Sequence, residues 1–229
     1  MNNPPQALAI EGLRFFGDMS ASISHEIKNV LAIINENAGL LDDMVRMVDK
    51  GRPLSPERLA GLARSLTRQV IRGDHIVTTL NRLAHSADHA SEPVDVAELL
   101  GFIVQLTDRL IRMKTTLPKI EIPATPLIVE TNRFFLEHLI WACLNRSLDA
   151  SPPEGAITIR ADSQPAAVRI QFRGLTVDSP AGDQPFPSVR EEMVAGLLGA
   201  QVAIDQQAGL INLMLPLPPN QSGPKAGPH

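Results

Sequence analysis

Between residues 8 and 48, apolar side chains return at mostly three- and four-residue steps: Phe16, Ile23, Ile27, Val30, Ile34, Leu41, Met44 and Val48. That period predicts one long helix with a narrow apolar seam, the kind that packs against another helix. Gly51-Arg52-Pro53 stops it. Ser55 followed by Pro56 reads as a cap with proline at the first helical position. A second helix is predicted over 56–85, with Leu59, Leu62, Leu66, Val70, Val77, Leu80 and Leu83 as its stripe and Gly73 as a weak point. Two such helices form an antiparallel hairpin, and one seam alone cannot complete a core. Two copies joined as a four-helix bundle would bury both seams, so a homodimer is expected. The alternative is cover from the C-terminal half of the chain.

The pattern changes after residue 85. Residues 86–93 are polar and read as a linker. A helix is expected from Val94 to about Lys114, with Asp95 as its cap, and further helices over 132–150 and 188–198. Short runs at 119–122, 127–129, 156–160, 167–172, 201–204 and 210–215 read as strands. Helices over one face of a mixed sheet make an α+β layer. The expected organisation is a helical hairpin over 1–87, an α+β domain over 88–216, and a proline- and glycine-rich tail over 217–229 that is expected to be disordered.

Composition narrows the function classes. A chain of 229 residues with 44% hydrophobic residues can build a sizeable core, and its net charge of −4 argues for neither a nucleic-acid surface nor an anionic membrane. Cys143 is the single cysteine, which excludes an intrachain disulfide framework, and its apolar neighbours suggest a packed thiol. No signal peptide or membrane-length apolar run is evident, so a cytoplasmic location is expected.

The candidate chemistry is concentrated in Ser24-His25-Glu26-Ile27-Lys28-Asn29. His25 carries a nucleophilic imidazole, Glu26 places a carboxylate beside it in sequence, and Asn29 lies one turn further on the same face. His25 and Asn29 fall off the apolar seam, so His25 is expected to face solvent. A zinc protease would need a second histidine where Asn29 stands. An ordinary polar helix face is the plain alternative. The segment resembles the phospho-acceptor motif of two-component sensor histidine kinases, Ser-His-Glu-(Ile/Leu)-(Arg/Lys)-(Asn/Thr)-Pro, departing from it with Val30 at the proline position.

The order of elements from Val94 to Pro216 is similar to the ATP-binding domain of the same family. The resemblance then implies an α+β fold: a hairpin forming a dimeric four-helix bundle, followed by a degenerate histidine-kinase-type ATPase α/β sandwich. The family's nucleotide residues do not follow. Ala142 and Arg146 stand where two magnesium- and phosphate-binding asparagines are expected, with Asn145 one residue out of register. Alanine offers no oxygen, and arginine repels the ion. Arg173-Gly174-Leu175-Thr176 replaces the motif that supplies the adenine-binding aspartate, Asp178 comes too late, and the stretch 178–187 replaces the glycine-rich lid.

The resemblance therefore implies a histidine phosphotransferase that has lost ATP binding and needs no cofactor of its own. His25 would carry a phosphoryl group to or from a response-regulator receiver domain, with Glu26 as general base and magnesium supplied by the receiver. Glu26 and Asn29 also match the spacing of the family's phosphatase motif, in which Asn29 would orient a water. The reading from another class is a non-catalytic dimeric pseudokinase adaptor that docks a kinase or response regulator.

Overall fold

The structure is a computed structural model and describes residues 4–152, 155–176 and 185–217. Two long helices open it, α1 (Pro4–Asp49) and α2 (Pro56–His85). Gly51, at φ 78°, turns the chain between them, a backbone region that glycine enters without a Cβ penalty. Ser55 Oγ accepts from the backbone N–H of Arg58 and starts α2. The rest alternates short strands and helices: β1 (Glu92–Asp95), α3 (Val96–Leu106), α4 (Asp108–Arg112), β2 (Lys119–Glu121), β3 (Ile128–Thr131), α5 (Arg133–Ala150), β4 (Thr158–Gln164), β5 (Ala167–Arg173), α6 (Val189–Leu197), β6 (Gln201–Asp205) and β7 (Leu210–Pro216). The expected class, α+β with a leading helical hairpin, is the observed one.

Two compact units result. One is the hairpin, residues 18–83; the other joins residues 84 onward with the opening turns of α1, up to Gly17. The first turns of α1, expected with the hairpin, group instead with the sheet unit. The reason is a set of specific contacts. Phe15 is buried, stacks on the His138 ring at 4.9 Å, and meets Phe134 edge-on. Gly12 lets α5 come close, since a Cβ there would stand 3.2 Å from Phe134. Glu11 pairs with Arg14 and lies 3.5 Å from Arg190 on α6.

The main sheet has five strands in the order β2-β4-β5-β7-β6. β2 pairs with β4 in parallel, and the other neighbours are antiparallel, so the sheet is mixed. Alternation along β5 and β7 buries Val168, Ile170, Phe172, Ile211, Leu213 and Leu215. On the opposite face Gln171 and Asn212, direct cross-strand partners, share a side-chain hydrogen bond of 2.9 Å. α5 covers β5 and β7 and also touches α3 and α6. Its Ala150-terminated run buries Leu136, Leu139, Ile140, Cys143 and Leu144, and burial pushes the Cys143 thiol up, well beyond its ordinary range. The packed-thiol expectation holds.

Three local features differ from the expected elements. Residues 92–95, expected as the end of the linker and the start of a helix, form β1, which pairs antiparallel with β3 in a separate two-stranded ribbon. The helix expected to run to Lys114 is two, α3 and α4, broken at Thr107, whose buried hydroxyl donates back to Ile103 O at 2.6 Å. β4 begins later than expected and extends to Gln164. Asp95, Asn132 and Ser188 cap α3, α5 and α6 through their side chains. The stretch 177–184, including Asp178, and the tail from residue 218 lie outside the described residues.

Candidate functional site

α1 runs as one unbroken helix through Val30, the position where the resembled motif carries proline. Valine keeps the backbone N–H that proline would remove. The faces around the motif separate cleanly. Ser22, Ile23 and Val30 are buried; Ser24, His25, Lys28 and Asn29 are exposed; Glu26 and Ile27 lie between. His25 and Asn29, four residues apart, project about 40° from one another around the helix axis. The imidazole and the carboxamide thus share one solvent-facing surface, available to a group arriving from outside.

Glu26 is set differently. Its side chain is 15% exposed, and its carboxylate lies 3.6 Å from the Arg72 guanidinium on α2. One turn further along α1, Val30 meets α2 at Gly73, where a Cβ would lie 3.5 Å from the Val30 Cγ1. The glycine read as a weak point therefore sits where the two helices pass closely. Deeper in the hairpin, Asn37 is buried and satisfies itself by donating to Ile33 O at 2.7 Å.

The seam agrees with the expected one at Ile23, Val30 and Leu83 and departs from it elsewhere. Phe15 rather than Phe16 is buried, followed by Met19, Ile23 and Val30; on α2 the buried positions are Ile76, Thr79 and Leu83. Leu41, Val48, Leu59, Val70 and Val77, expected in the seam, are exposed on the chain.

On α5 the positions compared with nucleotide ligands have other partners. The Arg146 guanidinium lies 5.9 Å from the centre of the Phe186 ring. The Lys114 ammonium donates to Asn145 Oδ1 at 2.8 Å and pairs with Asp149. Ala142 contributes only a methyl group. After β5, Gly174 adopts φ 112°, and a Cβ there would stand 2.7 Å from Ala156 O, so no aspartate fits. Thr176 donates through both its N–H and its hydroxyl to Ala150 O, tying this segment to the end of α5. Among the described residues, no group of three or more metal-binding side chains occurs, and no helix is long and apolar enough to cross a membrane.

Arg72, Lys114 and Thr176 were not singled out from sequence. Each acts through a partner 26 or more residues away or on another helix. The four-residue spacing of Asn145 and Asp149 was the one legible sign, since it places both on one face of α5.

No protein-family model matches the chain, and no curated protein matches it. Solved structures do. The chain is similar to the Acinetobacter baumannii histidine kinase AdeS, at 17% identity and TM-score 0.42 over 84% of this chain and 98% of that one. It is similar to the histidine kinase ThkA, solved in complex with the response regulator protein TrrA, at 18% identity and TM-score 0.46 over 91% of this chain and 64% of that one. A bacterial phosphotransferase matches at 15% identity and TM-score 0.44, over 87% and 94%. At such scores the likeness carries no argument about activity.

Proposed function

We propose that this chain is a histidine phosphotransferase-like signalling protein that exchanges phosphoryl groups with receiver domains through His25. The observation that carries this is the exposed His25 imidazole on an unbroken helix, with Asn29 on the same face and Glu26 next to it in sequence. In the forward step the His25 nitrogen attacks phosphorus, and an N–P bond forms. The P–O bond to the receiver's aspartate breaks, and the carboxylate leaves with its electron pair. Glu26 takes the imidazole proton as the nitrogen becomes bonded. Running the step backwards onto a second receiver completes the transfer.

ATP–magnesium does not fit the described residues. Arg146 would repel the cation, Ala142 has no ligand atom, and Gly174 leaves no place for a carboxylate. Magnesium enters with the receiver, whose acidic pocket binds it. A second copy is the proposed cover for the hairpin. Leu40, Met44, Met47 and Leu62 line an open groove near its turn, and Leu41, Val45, Val48, Val70 and Val77 stand exposed.

Asn29 supports one additional activity. An exposed carboxamide one turn from the histidine is placed to orient a water toward a receiver's phospho-aspartate. The test is incubation with phosphorylated receiver domains. His25→Ala should abolish labelling of the chain. Asn29→Ala should leave labelling intact and slow the loss of receiver phosphate to water. A non-catalytic adaptor would accept no phosphate in the wild type and would leave the lifetime of receiver phosphate unchanged.

A further inference from the structure

We infer that Lys28 is the cation that receives the phosphoryl group at His25. The inference rests on His25 being the nucleophile proposed above. Positions three apart on a helix are surface neighbours, with Cβ atoms about 5–6 Å apart, so Lys28 stands beside His25 one turn further along α1. Both side chains are exposed, as is Asn29, which flanks the same imidazole from the fourth position. A lysine ammonium on its flexible four-carbon stem can reach a group bonded to the imidazole from there.

The ammonium is uncommitted. The positions on α1 that could pair with it are Ser24, His25, Leu31 and Ala32, and none is acidic. Glu26, the nearest carboxylate in sequence, lies about 160° away around the helix axis and pairs instead with Arg72 on α2. Among the described residues, no carboxylate forms an ion pair with Lys28. A phosphoryl group on His25 would bring roughly two negative charges and three acceptor oxygens to this surface. Lys28 meets that charge as a point cation with three donors, and the Asn29 carboxamide adds an N–H donor on the same side. A cation already held by a carboxylate would have to break that pair first; Lys28 has none to break.

The role can be read without any receiver, using anionic phosphoramidate as the donor. The imidazole nitrogen attacks phosphorus, the bond to ammonia breaks, ammonia leaves with the electron pair, and the ring releases its proton. Peptide mass spectrometry follows phosphate at His25, with the exposed His85 as internal reference. Diethyl pyrocarbonate, a neutral reagent that acylates imidazole, reports the nucleophile alone. At low salt, Lys28→Ala should slow phosphorylation of His25 about threefold or more, and Lys28→Arg should stay within about twofold of wild type. The gap should narrow as salt is raised, because the attraction is screened. Acylation of His25 and phosphorylation of His85 should stay within about twofold of wild type in both variants, with the melting midpoint unchanged. Five results would overturn the assignment: Lys28→Ala phosphorylated at the wild-type rate, an arginine variant as slow as the alanine one, a gap that salt does not touch, acylation slowed as much as phosphorylation, or a wild-type His25 that phosphoramidate leaves unmodified. Failure of receiver labelling, with the Lys28 effect intact, would instead count against the transfer function.

Discussion

In the hairpin, Leu31, Val45, Val70 and Ile71 are each more than half exposed, while in the sheet unit Leu100, Ile140, Ile170 and Phe172 are sealed from solvent. The hairpin keeps its polar chemistry outward as well, with His25 and Asn29 on the surface. The sheet unit turns its charged groups on one another: Arg133 reaches Glu137, Glu92 and Glu98, and Lys114 is engaged by Asn145 and Asp149. In the proposed reading, one region meets other molecules and the other holds itself together. A helix that carries a nucleophile needs access and a covered seam. In the proposed reading, a domain relieved of nucleotide chemistry is free to fill its ligand positions with structural contacts.

The contrast is broken most directly in the core. Phe172→Ala should destabilise the protein by about 3–5 kcal/mol, read by denaturant unfolding, because a fully buried ring leaves a cavity. A loss under about 1 kcal/mol would mean that the sheet unit is packed no more tightly than the hairpin.

In the hairpin the opposite sign is available. Gly73→Ala should raise stability by roughly 0.5–1 kcal/mol, since the added methyl meets Val30 at ordinary contact distance and a helix interior favours alanine. A lower melting midpoint would show that α1 and α2 tolerate no added bulk at this level.

Acid sharpens the comparison on the sheet side. The Arg169 guanidinium, hydrogen-bonded to Asp162 through two nitrogens, holds that carboxyl below its usual range, aided by Gln164 and Arg160. The unfolded carboxyl titrates near pH ~3.9. The folded value is depressed, so the stabilisation is complete above the unfolded value and is lost as pH falls through the folded one. Its size is about 1 kcal/mol or less for a partly exposed pair. Asp162→Asn should therefore flatten the decline in stability below about pH 4. An unchanged acid profile would remove this pair from the account.

The smallest effect on folding belongs to an exposed apolar residue. Val70→Ala should change the unfolding free energy of a single chain by no more than about 0.5 kcal/mol. If a second copy covers the hairpin, the same change weakens self-association in sedimentation. A chain that stays monomeric at micromolar concentration would contradict the proposed bundle.

Much of this architecture was legible in the residues. The long helices follow from their period, and their starts from Ser55, Asp95, Asn132 and Ser188, because caps are local chemistry. β1 was hidden because Pro93 demotes a strand reading, and proline is tolerated there only at an edge, which is where the β1–β3 ribbon puts it. The break at Thr107 depends on a buried hydroxyl returning to the backbone, which no periodicity reports. The seam was misphased at Phe15 because that ring packs on Phe134 and His138, more than a hundred residues away. The exposure of His25 could be read from its place off the stripe. Arg72 could not, because the pairing of two helices in space is absent from either helix alone.

The central claim is that His25 carries phosphate without a nucleotide site of its own. The direct measurement is residue-level mapping of phosphate after two separate incubations, one with a phosphorylated receiver domain and no nucleotide, the other with γ-labelled ATP–magnesium alone. The account predicts phosphate on His25 in the first, passed on when an unphosphorylated receiver is added, and none in the second. Phosphate acquired from ATP alone, or a first incubation that leaves His25 unmodified across cognate receivers, would contradict it.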